Sequence, residues 1–139
     1  MKNELLFDTS FAIARASRKD QFHEQAKFWS NEIQSDNVRI VVTQAVILEI
    51  GNALAKLQFR AIGIGLLESF EKSVNTIIIS LTGKLHDQAF GLFRSRSDKE
   101  WGLVDCVSFV VMRERNLEAA LTADEHFVQA GFRALLREN

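Results

Sequence analysis

Apolar residues in this chain gather into short blocks that alternate between strand-like runs and helix-like stripes. Residues 4–7 end in Leu-Leu-Phe, too brief for a helix and suited to a buried strand. Asp8 stops that run, Thr9 and Ser10 read as helix N-caps, and residues 11–16 supply the helix. Phe22, Ala26, Trp29 and Ile33 recur at helical spacing over residues 21–33, and Asp36-Asn37 makes a turn. The β-branched residues 38–42 predict a second strand, with Thr43 capping a helix whose stripe is Val46, Ile50, Ala53, Leu54 and Leu57. Residues 60–72 predict another amphipathic helix, in which Gly63 and Gly65 either loosen the start or admit a close backbone. Three consecutive isoleucines mark a third strand over residues 75–80, and Thr82 opens a helix through Leu85, Ala89, Leu92 and Phe93. Residues 103–112 are apolar around most of a helical circumference, which predicts a helix buried on several sides. After Asn116 come a strand at 119–122, a short helix at 125–130 closed by Gly131, and a final strand at 132–136.

Short apolar strands alternating with helices predict an α/β domain whose central, mainly parallel sheet is flanked by helices. At 139 residues one core suffices, and no repeat or linker divides the chain, so residues 1–139 read as a single domain. In such sheets ligands bind beyond the carboxyl ends of the strands, where the strand order reverses. Right-handed crossovers keep those ends on one side, so acids at two strand ends share an edge.

Charge and cysteine content narrow the chemistry. A formal net charge of −1 gives no general pull toward nucleic acid, so such binding needs a local basic patch or a metal. Arg15, Arg18 and Lys19 form a small basic group, read as solvated surface. The lone cysteine, Cys106, excludes an internal disulfide and a thiolate zinc cage, and reads as a small buried hydrophobe. No apolar run approaches the ~20 residues of a membrane span, and the N-terminus is too short and acidic for a secretion signal. A cytoplasmic location without membrane association is therefore expected. Proline is absent, so turns and helix ends depend on Gly, Asn, Asp and Ser.

Four acids stand out against this background. Asp8 and Asp124 follow predicted strands. Asp105 sits inside the apolar run 103–112, where a carboxylate is costly unless a cation or hydrogen-bond donor meets it; the bland alternative is a surface acid favoured by the helix dipole. Glu49 lies about 80° from the centre of its helix stripe, at the core boundary, where a pairing with Lys56 or solvent is the plain reading. Converging carboxylates repel one another unless a cation neutralises them. Oxygen ligands without thiolate or clustered imidazole favour Mg²⁺ or Mn²⁺ over zinc, and the chemistry they serve best is phosphodiester hydrolysis. His86 and Asp87 lack a partner at ligand spacing and read as surface residues.

Four stretches together carry a resemblance. They are Phe7-Asp8-Thr9-Ser10, Leu48-Glu49-Ile50 with Asn52-Ala53-Leu54, Leu103-Val104-Asp105-Cys106, and Leu121-Thr122-Ala123-Asp124-Glu125-His126-Phe127. In this order and at this length the chain resembles a PIN-domain ribonuclease of the VapC type, the toxin half of toxin–antitoxin pairs. The resemblance implies a PIN-like three-layer fold and a metal-dependent endonuclease acting on RNA. It implies Asp8 and Asp105 as metal ligands, Asp124 as a ligand directly or through water, and Glu49 as a water-positioning or proton-accepting member of the catalytic pocket. It also implies a homodimer and a cognate antitoxin, which the apolar positions around Ile62 to Leu67 could contact, although core packing is the stronger reading for them. Gly102 departs from the pattern, since such proteins often have a helix-capping serine there. Asp98 reads as a turn residue or an outer acid, and Thr9, Ser10 and Thr122 as caps or ligand-bonding hydroxyls.

Two other readings stay in view. A receiver-like or phosphatase-like Mg²⁺ domain would want an acid at the end of the isoleucine strand, where Ser80-Leu81-Thr82 stands instead. A PIN-like domain kept only for binding RNA or protein would be free to lose its acids, and all four are present.

Overall fold

The computed structural model describes residues 3–138. Five strands, β1 (Glu4–Phe7), β2 (Arg39–Thr43), β3 (Thr76–Ile79), β4 (Ala119–Leu121) and β5 (Arg133–Ala134), form one sheet in the order β3-β2-β1-β4-β5. All four neighbouring pairs are parallel. The first three strands step one way across the sheet, and β4 then returns to the other side of β1. The order therefore reverses between β1 and β4, and in sheets of this kind ligands bind beyond the carboxyl ends at such a reversal.

Helices α1 (Thr9–Ala16), α2 (His23–Ser35), α3 (Gln44–Ala53) and α4 (Leu57–Lys72) precede β3 or connect to it. Helices α5 (Gly83–Ser95), α6 (Leu103–Arg115) and α7 (Glu125–Gln129) follow it. Side chains alternate along each strand, so neighbouring residues feed two separate cores. Phe7, Ile40, Val42 and Leu121 join the core under α1 to α4, while Leu6, Val41 and Ala120 join the core under α5 and α6. Three layers result, with the sheet buried on both faces as its unbroken apolar strands predict. Trp101, Phe109 and Phe127 meet edge to face, with ring centroids 5.0 Å apart at each step, and Trp101 Nε1 donates to Gln129 Oε1 at 3.0 Å. Phe109 and Phe127 are fully buried, each worth roughly 1.5–3 kcal/mol in apolar transfer. This ladder fixes α7 against α6, and hence the positions of the acids near their N-termini.

Several boundaries differ from the sequence pattern. Asp8 itself caps α1, its carboxylate accepting from Ser10 N, whereas Thr9 and Ser10 already lie inside the helix. The stripe assigned to a single helix through Leu57 is broken: α3 ends at Ala53, and Leu57 opens α4 with its side chain 93% exposed. No glycine or proline stands at that corner to mark it. The tight return depends on Gly63, where an added Cβ would sit 3.0 Å from Leu54 Cβ and 3.3 Å from Leu54 O, so the close-approach reading of that glycine holds. The last strand shrinks from five residues to Arg133 and Ala134, because β4 offers pairing partners only at Ala119 and Ala120. Leu135–Arg137 then turns as a 3₁₀ helix that buries Leu135 and Leu136, and Leu136 N donates to Thr122 O at 3.1 Å.

Candidate active site

Asp8 ends β1 at the switch point and caps α1, and it is 5% exposed. Its Oδ2 collects hydrogen bonds from Thr122 Oγ1 at 2.7 Å, Ser10 Oγ at 2.8 Å and Ser10 N at 3.3 Å. Ser10 Oγ in turn accepts from Ala123 N at 2.9 Å, and Thr122 Oγ1 accepts from Asp124 N at 3.1 Å. One hydroxyl from α1 and one from the end of β4 thus tie both strand ends to a single carboxylate oxygen. None of these bonds falls on Oδ1. Burial pushes the Asp8 carboxyl up from 3.8 to about 6; the Thr122 and Ser10 bonds oppose the rise, and the Asp105 charge adds to it.

Asp105 lies in the first turn of α6, and its Oδ2 accepts from Gly102 N at 3.0 Å. The missing serine at position 102 is offset in this way, because the acid itself reaches back to cap the helix. Its side chain is 18% exposed, so it is neither the plain surface acid of the bland reading nor fully sealed. Desolvation raises its pKa against the Gly102 and His126 bonds, and Asp124 raises it further. Asp124 caps α7 through His126 N at 2.9 Å. His126 Nδ1 stands 3.1 Å from Asp105 Oδ2 and 3.4 Å from Asp124 Oδ1. Glu49, half-buried on α3, accepts from Thr9 Oγ1 at 2.6 Å, which joins it to the residue after Asp8.

The four acids expected from the sequence are therefore linked in space: Glu49 through Thr9, Asp8 through Thr122 to Asp124, and Asp105 through His126 to Asp124. Among the described residues no Lys or Arg forms an ion pair with any of them. Asp98 belongs elsewhere, held by Arg96 at 3.0 and 3.1 Å. His86 and Asp87 have exposed side chains that meet each other at 3.5 Å. Arg15 turns to Ser30, at 2.9 Å, and Arg18 and Lys19 are exposed, as a solvated basic group should be.

A family model described as the PIN domain matches residues 5–133, nearly the whole chain. The chain belongs to the PIN-domain family. Among solved structures it is similar to VapC20 of Mycobacterium tuberculosis, described as a sarcin-ricin loop cleaving toxin. The TM-score is 0.79 at 23% identity, over 92% of this chain and 95% of that one. A search of curated protein sequences returned no match. The PIN assignment and the strand order β3-β2-β1-β4-β5 set aside the receiver-like reading, whose sheet runs 2-1-3-4-5.

Within this PIN domain the donor set suits a divalent cation. Ligand atoms of Asp105, Asp124 and His126 all lie within 4.8 Å of one another, and the buried Asp8 carries the electrostatic stress that a cation relieves. His126 received no role from the sequence, although it stands in the Thr122–Phe127 stretch. The signal was its spacing: two residues after an N-capping acid, its backbone is fixed by the cap, and the first turn of α7 returns its ring toward the acids.

Proposed function

We propose that this PIN domain is a metal-dependent endoribonuclease, the toxin of a toxin–antitoxin pair acting in the cytoplasm, with residues 1–139 working as one nuclease domain. The observation that carries the reading is the convergence of Asp8, Glu49, Asp105 and Asp124, four acids without a Lys or Arg counter-ion among the described residues, at the sheet's switch point. VapC20, whose fold this chain shares, is described as a sarcin-ricin loop cleaving toxin, and RNA is the substrate class proposed here.

Asp8, Asp105 and Asp124 would hold Mg²⁺ or Mn²⁺, which supplies activation of a water and stabilisation of charge on the phosphoryl oxygens. Asp8 Oδ1 would be the oxygen that serves this task, since the Ser10 and Thr122 bonds fall on Oδ2. Glu49, an acceptor already oriented by Thr9, positions the attacking water or takes its proton. Asp105 keeps its place through the Gly102 amide.

An apolar groove lined by Phe11, Ala12, Ile33, Ile62, Leu66 and Phe70 lies between α1, α2 and α4. Ile62 is 49% exposed and so is not ordinary core. This groove is the proposed seat of an antitoxin segment, and the chain is proposed to pair as a homodimer. No helix among the described residues is long and apolar enough to cross a membrane.

The test is cleavage of a defined RNA by the purified chain. Addition of Mg²⁺ or Mn²⁺ to the EDTA-treated protein should restore cutting, and Asp8→Asn should abolish it. Cutting retained by Asp8→Asn, or undiminished in EDTA, refutes the reading.

A further inference from the structure

We infer that His126 is a nitrogen ligand of the cation at this site, and that it biases the centre toward a first-row transition ion over Mg²⁺. This rests on the metal-dependent reading above and adds to it a ligand of a different kind.

Nδ1 of His126 faces two carboxylates from two elements: Asp105 of α6 at 3.1 Å and Asp124, the cap of α7, at 3.4 Å. A neutral imidazole has one N–H, and if Nδ1 carries it, one carboxylate receives it well and the other is left facing the nitrogen at longer range. If Nδ1 carries a lone pair, it faces two anionic oxygens without a proton between them. A cation among the three atoms satisfies all of them at once. Ligands ~2.1 Å from a six-coordinate ion stand about 3.0 Å apart when adjacent and about 4.2 Å when opposite. The separations of 3.1 and 3.4 Å fit adjacent places, and one ligand atom from each of the three residues lies within 4.8 Å of the others.

The backbone that carries the ring is anchored. His126 N donates to Asp124 Oδ1 at 2.9 Å, so one carboxylate fixes both the backbone and the surroundings of the imidazole. The adjacent Phe127 is fully buried in the aromatic ladder. The imidazole is 26% exposed, which leaves it accessible to a cation from solvent. Mg²⁺ prefers hard oxygen and keeps its waters, whereas imidazole favours first-row transition ions. One nitrogen among oxygen ligands therefore changes which ion the site selects, without changing the charge the acids supply.

The experiment uses the full chain, stripped with EDTA and reloaded with Mn²⁺ as the probe, without RNA. Pulsed EPR should detect a directly bonded imidazole nitrogen on the bound Mn²⁺, and titration should give the Mn²⁺ to Mg²⁺ affinity ratio. His126→Ala should erase the nitrogen signal and lower that ratio about tenfold or more. His126→Gln, which offers an oxygen in the same region, should still bind but move the preference toward Mg²⁺; a merely structural histidine would not produce that reversal. Bound Mn²⁺ with no histidine nitrogen coupling, or an unchanged ratio in both variants, overturns the inference and leaves the nuclease reading standing. Failure of the wild-type chain to bind either ion overturns both.

Discussion

Replacing Asp8 with Asn should make the metal-free protein more stable at neutral pH while destroying its proposed activity. Asp8 is 5% exposed, and its carboxyl is raised from 3.8 to about 6, chiefly by desolvation. The folded state therefore binds more protons than the unfolded one between those values, and stability falls as pH rises. The protonated carboxyl's advantage is complete below about 4 and is lost as pH passes through about 6. At about 1.4 kcal/mol for each tenfold change in ionisation constant, the cost above pH 6 is about 3 kcal/mol. Asn keeps an oxygen to accept from Thr122, Ser10 Oγ and Ser10 N, and it caps helices as well as Asp does. Allowing for imperfect replacement, a gain of about 2 kcal/mol at pH 7.5 in EDTA remains. Urea unfolding from pH 4 to 8 checks it. Wild type should lose stability over the acid half of that range, and Asp8→Asn should follow a shallower slope of the same sign, because Asp105 is raised too. Saturating Mn²⁺ at pH 7.5 should then stabilise wild type more than the variant. Parallel pH curves, or a variant less stable than wild type at pH 7.5, would refute the claim that Asp8 is held under electrostatic stress.

Glu49→Gln keeps the acceptor for Thr9, so unfolding midpoints should move little while the RNA cutting rate drops about 10²-fold or more; equal loss of both would make Glu49 a structural residue. Gly63→Ala should cost about 1–3 kcal/mol in denaturant unfolding, because the new methyl meets Leu54 Cβ at 3.0 Å and the Leu54 carbonyl at 3.3 Å. Ser108→Ala should stabilise by about 1 kcal/mol, since the Ser108 hydroxyl is fully buried in α6 and has no hydrogen-bond partner among the described residues; an unchanged or lowered midpoint contradicts this.

The elements whose pattern is local were legible in the sequence. The isoleucines of β3, the apolar run of β1 and the nearly all-round burial of α6 follow from the spacing of their own residues, and each stands close to its expected place. What depends on a distant partner was not legible. The corner between α3 and α4 is set by Leu54 meeting Gly63, nine positions on, and the length of β5 by the short strand it pairs with. The same division runs through the site. Strand ends announced Asp8 and Asp124, and the cost of an acid in an apolar helix announced Asp105. The hydroxyls on Asp8 come from Ser10 and from Thr122, more than a hundred residues apart, and could equally have been caps. His126 stayed hidden because its partner Asp105 belongs to another helix.

Asp8, Asp105 and Asp124 stand without a lysine or arginine counter-ion among the described residues, and the fold itself explains how these three are tolerated. Asp8 caps α1, Asp124 caps α7, and Asp105 takes the first turn of α6 and holds the Gly102 amide. Each thus meets the positive end of a helix, equivalent to about half an elementary charge, together with a backbone N–H that the helix leaves unpaired. A lysine in the same place would neutralise an acid fully and compete with any incoming cation. A helix terminus compensates it only in part and cannot leave. On the metal-dependent reading proposed above, this partial compensation would let the polypeptide fold before a cation is bound and still leave net negative charge at the site. The raised pKa of Asp8 reflects chiefly its burial, with a smaller contribution from the Asp105 charge, and the position of β1 between β2 and β4 gathers these helix ends at one edge.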